Sequence, residues 1–297
     1  MKIFITGATG YIGSAVAEAL RRAGHEVWGL IRDPDKTGPL HRAEVRTIIG
    51  SLQQPEKFMN KARECDVLIH AAADLEAGMA ATDPELIRNF ITAANGNPSK
   101  KIVYTSGVWV YGDTKEHRVD ETPALNPPKH VAWRPAVEQM VLDASSRSMV
   151  IRPGCVYGKR GGLTGMWFQG AEKGEVKIIG DGKNHWTMIH VDDLADAYVH
   201  AIESDFSGEI FNVTDNSALS VTEMVKAAFR ATGNKESFRL VPLEEAAKTM
   251  GGFAECLALD QHVDSTKAHR MLGWKPKHAD FATDAETHYM AWKQYKK

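Results

Sequence analysis

Three glycines at even spacing, Gly7, Gly10 and Gly13 in TGATGYIG, are the residues whose type and pattern point most directly to chemistry. They follow the short apolar run of KIFIT and precede the helix-patterned SAVAEALRRAG, so the order reads strand, glycine turn, helix. In that order Gly7 takes the tight turn off the strand, Gly10 leaves the backbone open to a pyrophosphate, and Gly13 lets the helix pack closely on the sheet. The N–H groups and positive dipole end of a helix starting near Tyr11, with Thr9 and Ile12 beside them, then face the phosphates. An empty left-handed turn would explain the glycines alone; the flanking strand and helix are what the binding motif demands in addition.

Such a turn needs a parallel sheet to carry it, and the chain supplies one. Strand and helix signals alternate from the start, as right-handed βαβ units require. HEVWGLIRDP, VRTIIGSL, CDVLIHAAA, KIVYTSGVWVYG and MVIRPGCVYG read as successive strands, each running into a turn. PELIRNFITAANG is patterned as a helix with Pro84 at its start, and residues 113–130 read as a long surface loop. A cap at Ser220 or Thr222 opens a late helix. At 297 residues, with 43% hydrophobic and 25% charged, the chain fits a large α/β domain or a cofactor domain with a smaller partner. A formal net charge of −2 gives no reason to expect nucleic acid or an anionic membrane as partner. Cys65, Cys155 and Cys256 are odd in number and far apart, which indicates a reducing compartment. With no apolar stretch of spanning length and no signal peptide, the expected location is cytoplasmic. The twelve histidines show no pair at metal-ligand spacing supported by acids or cysteines, so no metal is expected.

With Gly-x-x-Gly-x-x-Gly in this setting, the sequence resembles the short-chain dehydrogenase/reductase superfamily in its extended form, which includes sugar-nucleotide epimerases, dehydratases and dihydroflavonol-type reductases. HWTMIHVDDLADAYVHAIES and the C-terminal Asp264-x-x-Lys267 and Leu272-Gly273-Trp274 extend the resemblance over nearly the whole chain. It implies a doubly wound parallel Rossmann sheet with a smaller C-terminal substrate lobe. Residues 1–160 and 187–215 would form the dinucleotide domain, and 161–186 and 216–297 the lobe that takes a small-molecule substrate. It also implies a homodimer paired through helices at about 84–95 and 135–146.

For the cofactor, the end of the second strand should face the adenosine ribose. Ile31 stands where the family carries an acid and Arg32 follows, which favours the 2′-phosphate of NADP(H), with Lys36 in support. The alternative is that Asp33 reads the ribose and the cofactor is NAD. Ser51 and Leu52 fall beside the adenine, and Ala71, Ala72 and Ala73 form the small-residue turn over which the cofactor passes, with His70 a packed strand-end residue. Thr105, Pro153 and Val156 complete the nicotinamide end.

The resemblance implies a proton-transfer Tyr-x-x-x-Lys pair and a carbonyl-binding serine. Counting back from Glu138, the family's conserved-type glutamate, puts His130 in the tyrosine slot and Arg134 in the lysine slot; Gly107 falls in the serine slot, with Ser106 just before it. One reading makes His130 the proton donor, Arg134 a fixed cation on the ribose and Ser106 the carbonyl partner. Against it, Pro135 starts a helix late and leaves His130 on a loop. Tyr111 and Tyr157 are expected to pack, Cys155 to be a buried thiol, and Trp167 is divided between core and substrate contact. Three functions stay open: an NADP(H)-dependent oxidoreductase with an altered proton-transfer group, a non-catalytic NADP(H) sensor or scaffold, and a sugar-nucleotide epimerase or dehydratase.

Overall fold

Ile3 and Ile5 point to one face of the first strand and Phe4 to the other, and all three are fully buried. A strand apolar on both faces must lie inside a parallel sheet covered on both sides. The computed structural model describes residues 1–73, 78–144 and 146–296. Its strands are, in chain order, β1 (Lys2–Thr6), β2 (Glu26–Ile31), β3 (Arg46–Ile49), β4 (Val67–His70), β5 (Lys101–Thr105), β6 (Arg118–Val119), β7 (Arg147–Pro153), β8 (Cys155–Tyr157), β9 (Val176–Ile179), β10 (Met188–His190), β11 (Glu209–Val213), β12 (Phe238–Val241) and β13 (His262–Val263). Seven of them form one all-parallel sheet in the order β11-β7-β5-β4-β1-β2-β3, and the other six pair two by two. The order reverses between β1 and β4, which opens a crevice at the strands' carboxyl ends. This is the doubly wound Rossmann architecture that the sequence implies.

Helices α1 (Tyr11–Arg22), α2 (Thr37–Arg42), α3 (Pro55–Glu64), α4 (Met79–Ala94), α5 (Arg134–Leu142), α6 (Gly165–Lys173), α7 (Val191–Glu203) and α8 (Val221–Thr232) lie between these strands, and further helices follow toward the C-terminus. Val16 and Leu20 of α1 pack with Leu194 and Tyr198 of α7 on the Ile3/Ile5 face. Phe58, Phe90 and Val141 of α3, α4 and α5 pack on the Phe4 face. Each such side chain taken fully out of water contributes about 1.5–3 kcal/mol. A second core, built from Trp167, Phe168, Trp186, Phe229, Phe281 and Trp292, lies beyond the sheet. Two buried lysines tie helix ends to β5: Lys100 Nζ donates to the carbonyls of Ala62, Arg63 and Cys65 at the C-terminal end of α3, and Lys101 Nζ to those of Ala201, Ile202 and Ser204 at the C-terminal end of α7. There the cations meet the negative ends of the helix dipoles. Among the described residues no helix is long and apolar enough to cross a membrane.

The structure corrects several boundaries. Pro84 lies inside α4 and does not start it, because the helix begins at Met79 after Gly78, whose φ is +84°, and a proline in the second turn removes only one internal hydrogen bond. The helix expected over 135–146 ends at Leu142, where the N–H groups of Asp143 and Ala144 close on Gln139 and Val141; Ser145 lies outside the described residues. The surface loop 113–130 contains β6, which has a partner only because β13 returns beside it from the far end of the chain. Ser220 caps α8 in a capping box with Glu223.

Inside the sheet edge, Arg152 and Glu138 form a bidentate ion pair at 3.0 and 2.5 Å, both nearly fully buried, and Arg152 Nη1 also donates to Tyr111 Oη at 2.8 Å. Removing one partner of such a pair strands the other charge. Asp215, just past β11, is 8% exposed, and burial pushes its carboxyl from 3.8 up to about 7. Between those two pH values the folded state holds a proton that the unfolded chain releases, so stability falls as pH rises through that window.

Two outcomes follow. Glu138→Ala is expected to lose about 3–5 kcal/mol in urea unfolding, and Glu138→Leu with Arg152→Met to recover most of it; a loss under ~1 kcal/mol for the single change would contradict the network. Asp215→Asn is expected to be more stable than the parent at pH 8, by about 4 kcal/mol at most, with the difference shrinking below pH 5. Thermal midpoints across pH check this, and a difference independent of pH would refute it.

Candidate active site

The turn after β1 works only without side chains. Gly7 has φ +75°, and a Cβ there would sit 2.5 Å from the Ala71 carbonyl oxygen. A Cβ on Gly13 would lie 2.1 Å from the Gly7 oxygen, and one on Gly10 3.0 Å from it. The helix N-terminus is thereby pressed onto the β1–β4 edge. Gly10 is the N-cap of α1, no side chain caps the helix, and no acid occupies its first turn. Its leading amides therefore face a cleft of about 330 Å³ with the affinity for anions that an uncapped N-terminus has.

That cleft gathers most of the cofactor residues expected from the sequence. Gly7, Thr9, Gly10, Tyr11 and Ile12 form one wall, Arg32 and Lys36 the end beyond β2, Ser51 and Leu52 the end beyond β3, and Ala71, Ala72 and Ala73 the edge beyond β4. Gly13 is not in the lining; its part is the close packing just described. His70 is buried, with Nδ1 2.8 Å from Thr6 Oγ1 and Nε2 3.2 Å from an Asp83 oxygen, a strand-end packing residue. Asp33 accepts from the Asp35 N–H at 3.0 Å, capping the 34–36 turn, and lies 3.7 Å from Lys36 Nζ. Asp33 also lines this end of the cleft, beside Arg32 and Lys36. Tyr11 contributes backbone to the cleft while its hydroxyl donates to Gly158 O at 2.6 Å. Arg160, which sequence reasoning missed, binds the back of the same loop through Gly10 O at 2.7 Å and Ser14 Oγ at 2.9 Å.

The carboxyl ends of β5 and β7 continue this edge. Thr105 Oγ1 is 2.5 Å from the Tyr198 hydroxyl, so it is held by α7. Ser106 is 4% exposed, its N–H donates to Ile151 O at 2.8 Å, and among the described residues its Oγ has no partner. Arg134 starts α5 and lays its guanidinium over the next residue: a Cβ on Gly107 would be 2.6 Å from Arg134 Nη1 and 3.8 Å from Pro153 O. Its Nε is buried and unpartnered. Thr105, Ser106 and Pro153 thus lie at the carboxyl ends of β5 and β7, and Arg134 reaches the Gly107 and Pro153 part of that edge. Val156 of β8 follows Pro153 two residues after Gly154, and its carbonyl faces Gly162.

His130 is exposed on the short turn Lys129–Val131, as Pro135 foretells, with its ring edge-on to Phe253 at 5.6 Å; Phe253 in turn meets Trp109 at 5.9 Å. The remaining candidates are packing residues. Tyr111 bridges Arg152 and Asn212, and burial pushes its phenol up to about 12. Tyr157 is fully buried against His190, His288 and Phe281, which drives its phenol far above the ordinary range. Burial, and then Asp215, pushes the Cys155 thiol up to about 12, the wrong direction for a nucleophile. Trp167 is 4% exposed and stacks on Trp186 at 4.9 Å, so it belongs to the second core and not to a substrate wall. One group escaped the sequence altogether: His185, Asp260 and His262 converge from segments about a quarter of the chain apart. Asp260-x-His262 in an extended stretch was the available signal.

Comparison with known proteins places the chain by sequence and by fold. A 4-hydroxy-2-methyl-3-oxo-4-farnesyl-3,4-dihydroquinoline-1-oxide ketoreductase of Stigmatella aurantiaca is 26% identical over 262 residues, 83% of this chain and 78% of that protein. A UDP-glucose 4-epimerase of Mycolicibacterium smegmatis is 28% identical over 316 residues, 93% and 94% of the two chains. Among solved structures, the UDP-glucuronic acid 4-epimerase of Bacillus cereus, in complex with UDP-glucuronic acid and NAD, superposes with a TM-score of 0.84 at 21% identity, covering 99% of this chain and all of that one. The family model for the NAD dependent epimerase/dehydratase family matches residues 3–214, most of the chain, and the protein belongs to that family.

Proposed function

We propose that the protein is an oxidoreductase that uses NADP(H) in preference to NAD(H) and acts on the carbonyl or hydroxyl of a small organic molecule, with a proton-transfer group unlike the usual tyrosine and lysine. The observation that carries this reading is the guanidinium of Arg134 over Gly107, with Arg134 Nε and Ser106 Oγ buried and unpartnered at the same edge as the uncapped helix. Buried donors without partners cost free energy unless a ligand satisfies them. A bound nicotinamide supplies or accepts the hydride. The chain's own residues do the rest. The α1 amides hold the diphosphate, and Arg32 and Lys36 stand beyond β2 where a 2′-phosphate is met. Arg134 holds the nicotinamide ribose as a fixed cation, while Ser106 Oγ donates to the substrate oxygen. His130, open to solvent, carries the proton to or from that oxygen. The Stigmatella ketoreductase supports carbonyl chemistry; the epimerase similarity supports a second reading, in which NAD stays bound through a sugar-nucleotide cycle.

Incubation with 4-deuterated NADPH and a carbonyl panel is expected to move label into a product; label that never leaves the cofactor would favour a binding-only role. Arg134→Ala and Ser106→Ala should each lower kcat/KM by about 10²–10³-fold without loss of fold, and His130→Ala kcat by about 10²-fold. Arg32→Ala should raise KM for NADPH by about tenfold or more and leave NADH nearly unchanged. Equal effects on both cofactors, or tightly retained NAD on purification, would turn the assignment toward the epimerase reading.

A further inference from the structure

We propose that His185, Asp260 and His262 form a binding site for a divalent transition-metal ion of the zinc type, separate from the dinucleotide cleft. Asp260 Oδ1 lies 2.9 Å from His185 Nδ1 and 3.7 Å from His262 Nε2, and all three ligand atoms fall within 4.8 Å of one another. A tetrahedral ion with bonds of about 2.0–2.1 Å requires its ligand atoms about 3.3 Å apart, so small side-chain rotations suffice. The residues belong to different segments: His185 precedes β10, Asp260 precedes β13 and His262 opens it. Asp260 and His262 are two apart in an extended stretch, which turns them to the same side.

The backbone that carries them is already fixed. Gln261, between the two ligands, is 3% exposed and donates to Val108 O at 3.0 Å and Gly112 O at 2.7 Å. Its N–H donates to His185 O at 3.0 Å, and the His185 N–H to Asp260 Oδ1 at 2.7 Å. Thr114 receives the His262 N–H on its Oγ1 at 2.9 Å and donates its own N–H to Asp260 O at 2.9 Å. Preorganised ligands lose little freedom when an ion binds. The side chains of His185, Asp260 and His262 are 30%, 32% and 22% exposed, which leaves an entry path and room for water as further ligand. Arg118, opposite His262 in the β6–β13 pair, is turned to Asp264 at 3.2 Å, so its charge is offset. Two imidazoles and one carboxylate suit zinc, nickel or copper; calcium and magnesium want oxygen donors. An ion there would join the 184–186 segment to the 260–262 segment, which hydrogen bonds already tie to residues 108–114.

Untagged full-length protein, stripped with chelator, is titrated with Zn²⁺ by calorimetry and with Co²⁺ by visible absorption. One ion per chain is expected, with affinity about tenfold or more weaker in Asp260→Asn and in His262→Ala. Zinc should raise the Tm of the parent and of His278→Ala, a variant at the separately stacked His190–His278 pair, but not of those two variants. Binding unchanged in both variants, lost in His278→Ala, or seen only at millimolar zinc would overturn the proposal. Histidine side-chain NMR of the parent needs no variant: zinc must move two imidazoles, and titration that moves none also overturns it.

Discussion

The helix α1 can begin where it does only because Gly13 has no side chain. A Cβ there would fall 2.1 Å from the Gly7 oxygen, so any other residue would lift the helix off the strand turn. The close approach aims uncapped amides into the cleft at the point where the sheet order reverses. It also seats α1 beside α7 on the Ile3/Ile5 face, so the glycine turn is carried by a broad buried apolar layer. Tyr11 and Arg160 then bolt the turn to the 158–160 segment from the other side.

A second constraint governs the carboxyl ends of β5 and β7. Glu138 lies one helical turn after Arg134 on α5, and its buried pairing with Arg152 of β7 sets the helix against the sheet. Through Tyr111 and Asn212 the same network holds the 108–111 turn and β11. The position of Arg134 over Gly107 is therefore a consequence of packing deeper in the protein. On the function proposed above, that arrangement would offer a fixed planar cation in place of a flexible ammonium.

How far the sequence could be read depended on the range of the interaction behind each feature. The glycine turn, the alternating strands and the Ser220 cap are local, and their residues declared them. Glu138 was recognisable as a landmark, yet its buried partner Arg152 was not, because ion pairs across elements leave no periodicity. Pro84 misled because a proline suits a helix start and the first turn of α4 has little else to mark it. Trp167 could be resolved only by Trp186 stacking on it. His185 and Asp260 are 75 residues apart in the chain, so no spacing rule could join them. The late start of α5, and with it the exposed His130, was legible from Pro135 alone.

The central claim is that the β1–α1 turn grips a dinucleotide and that the Arg134 edge receives its nicotinamide end. Calorimetric titration of the purified protein with NADPH and with NADH tests it most directly. The account predicts one-to-one binding, tighter for NADPH. No heat from either cofactor at millimolar concentration, with the protein folded and free of carried-over nucleotide, would contradict it.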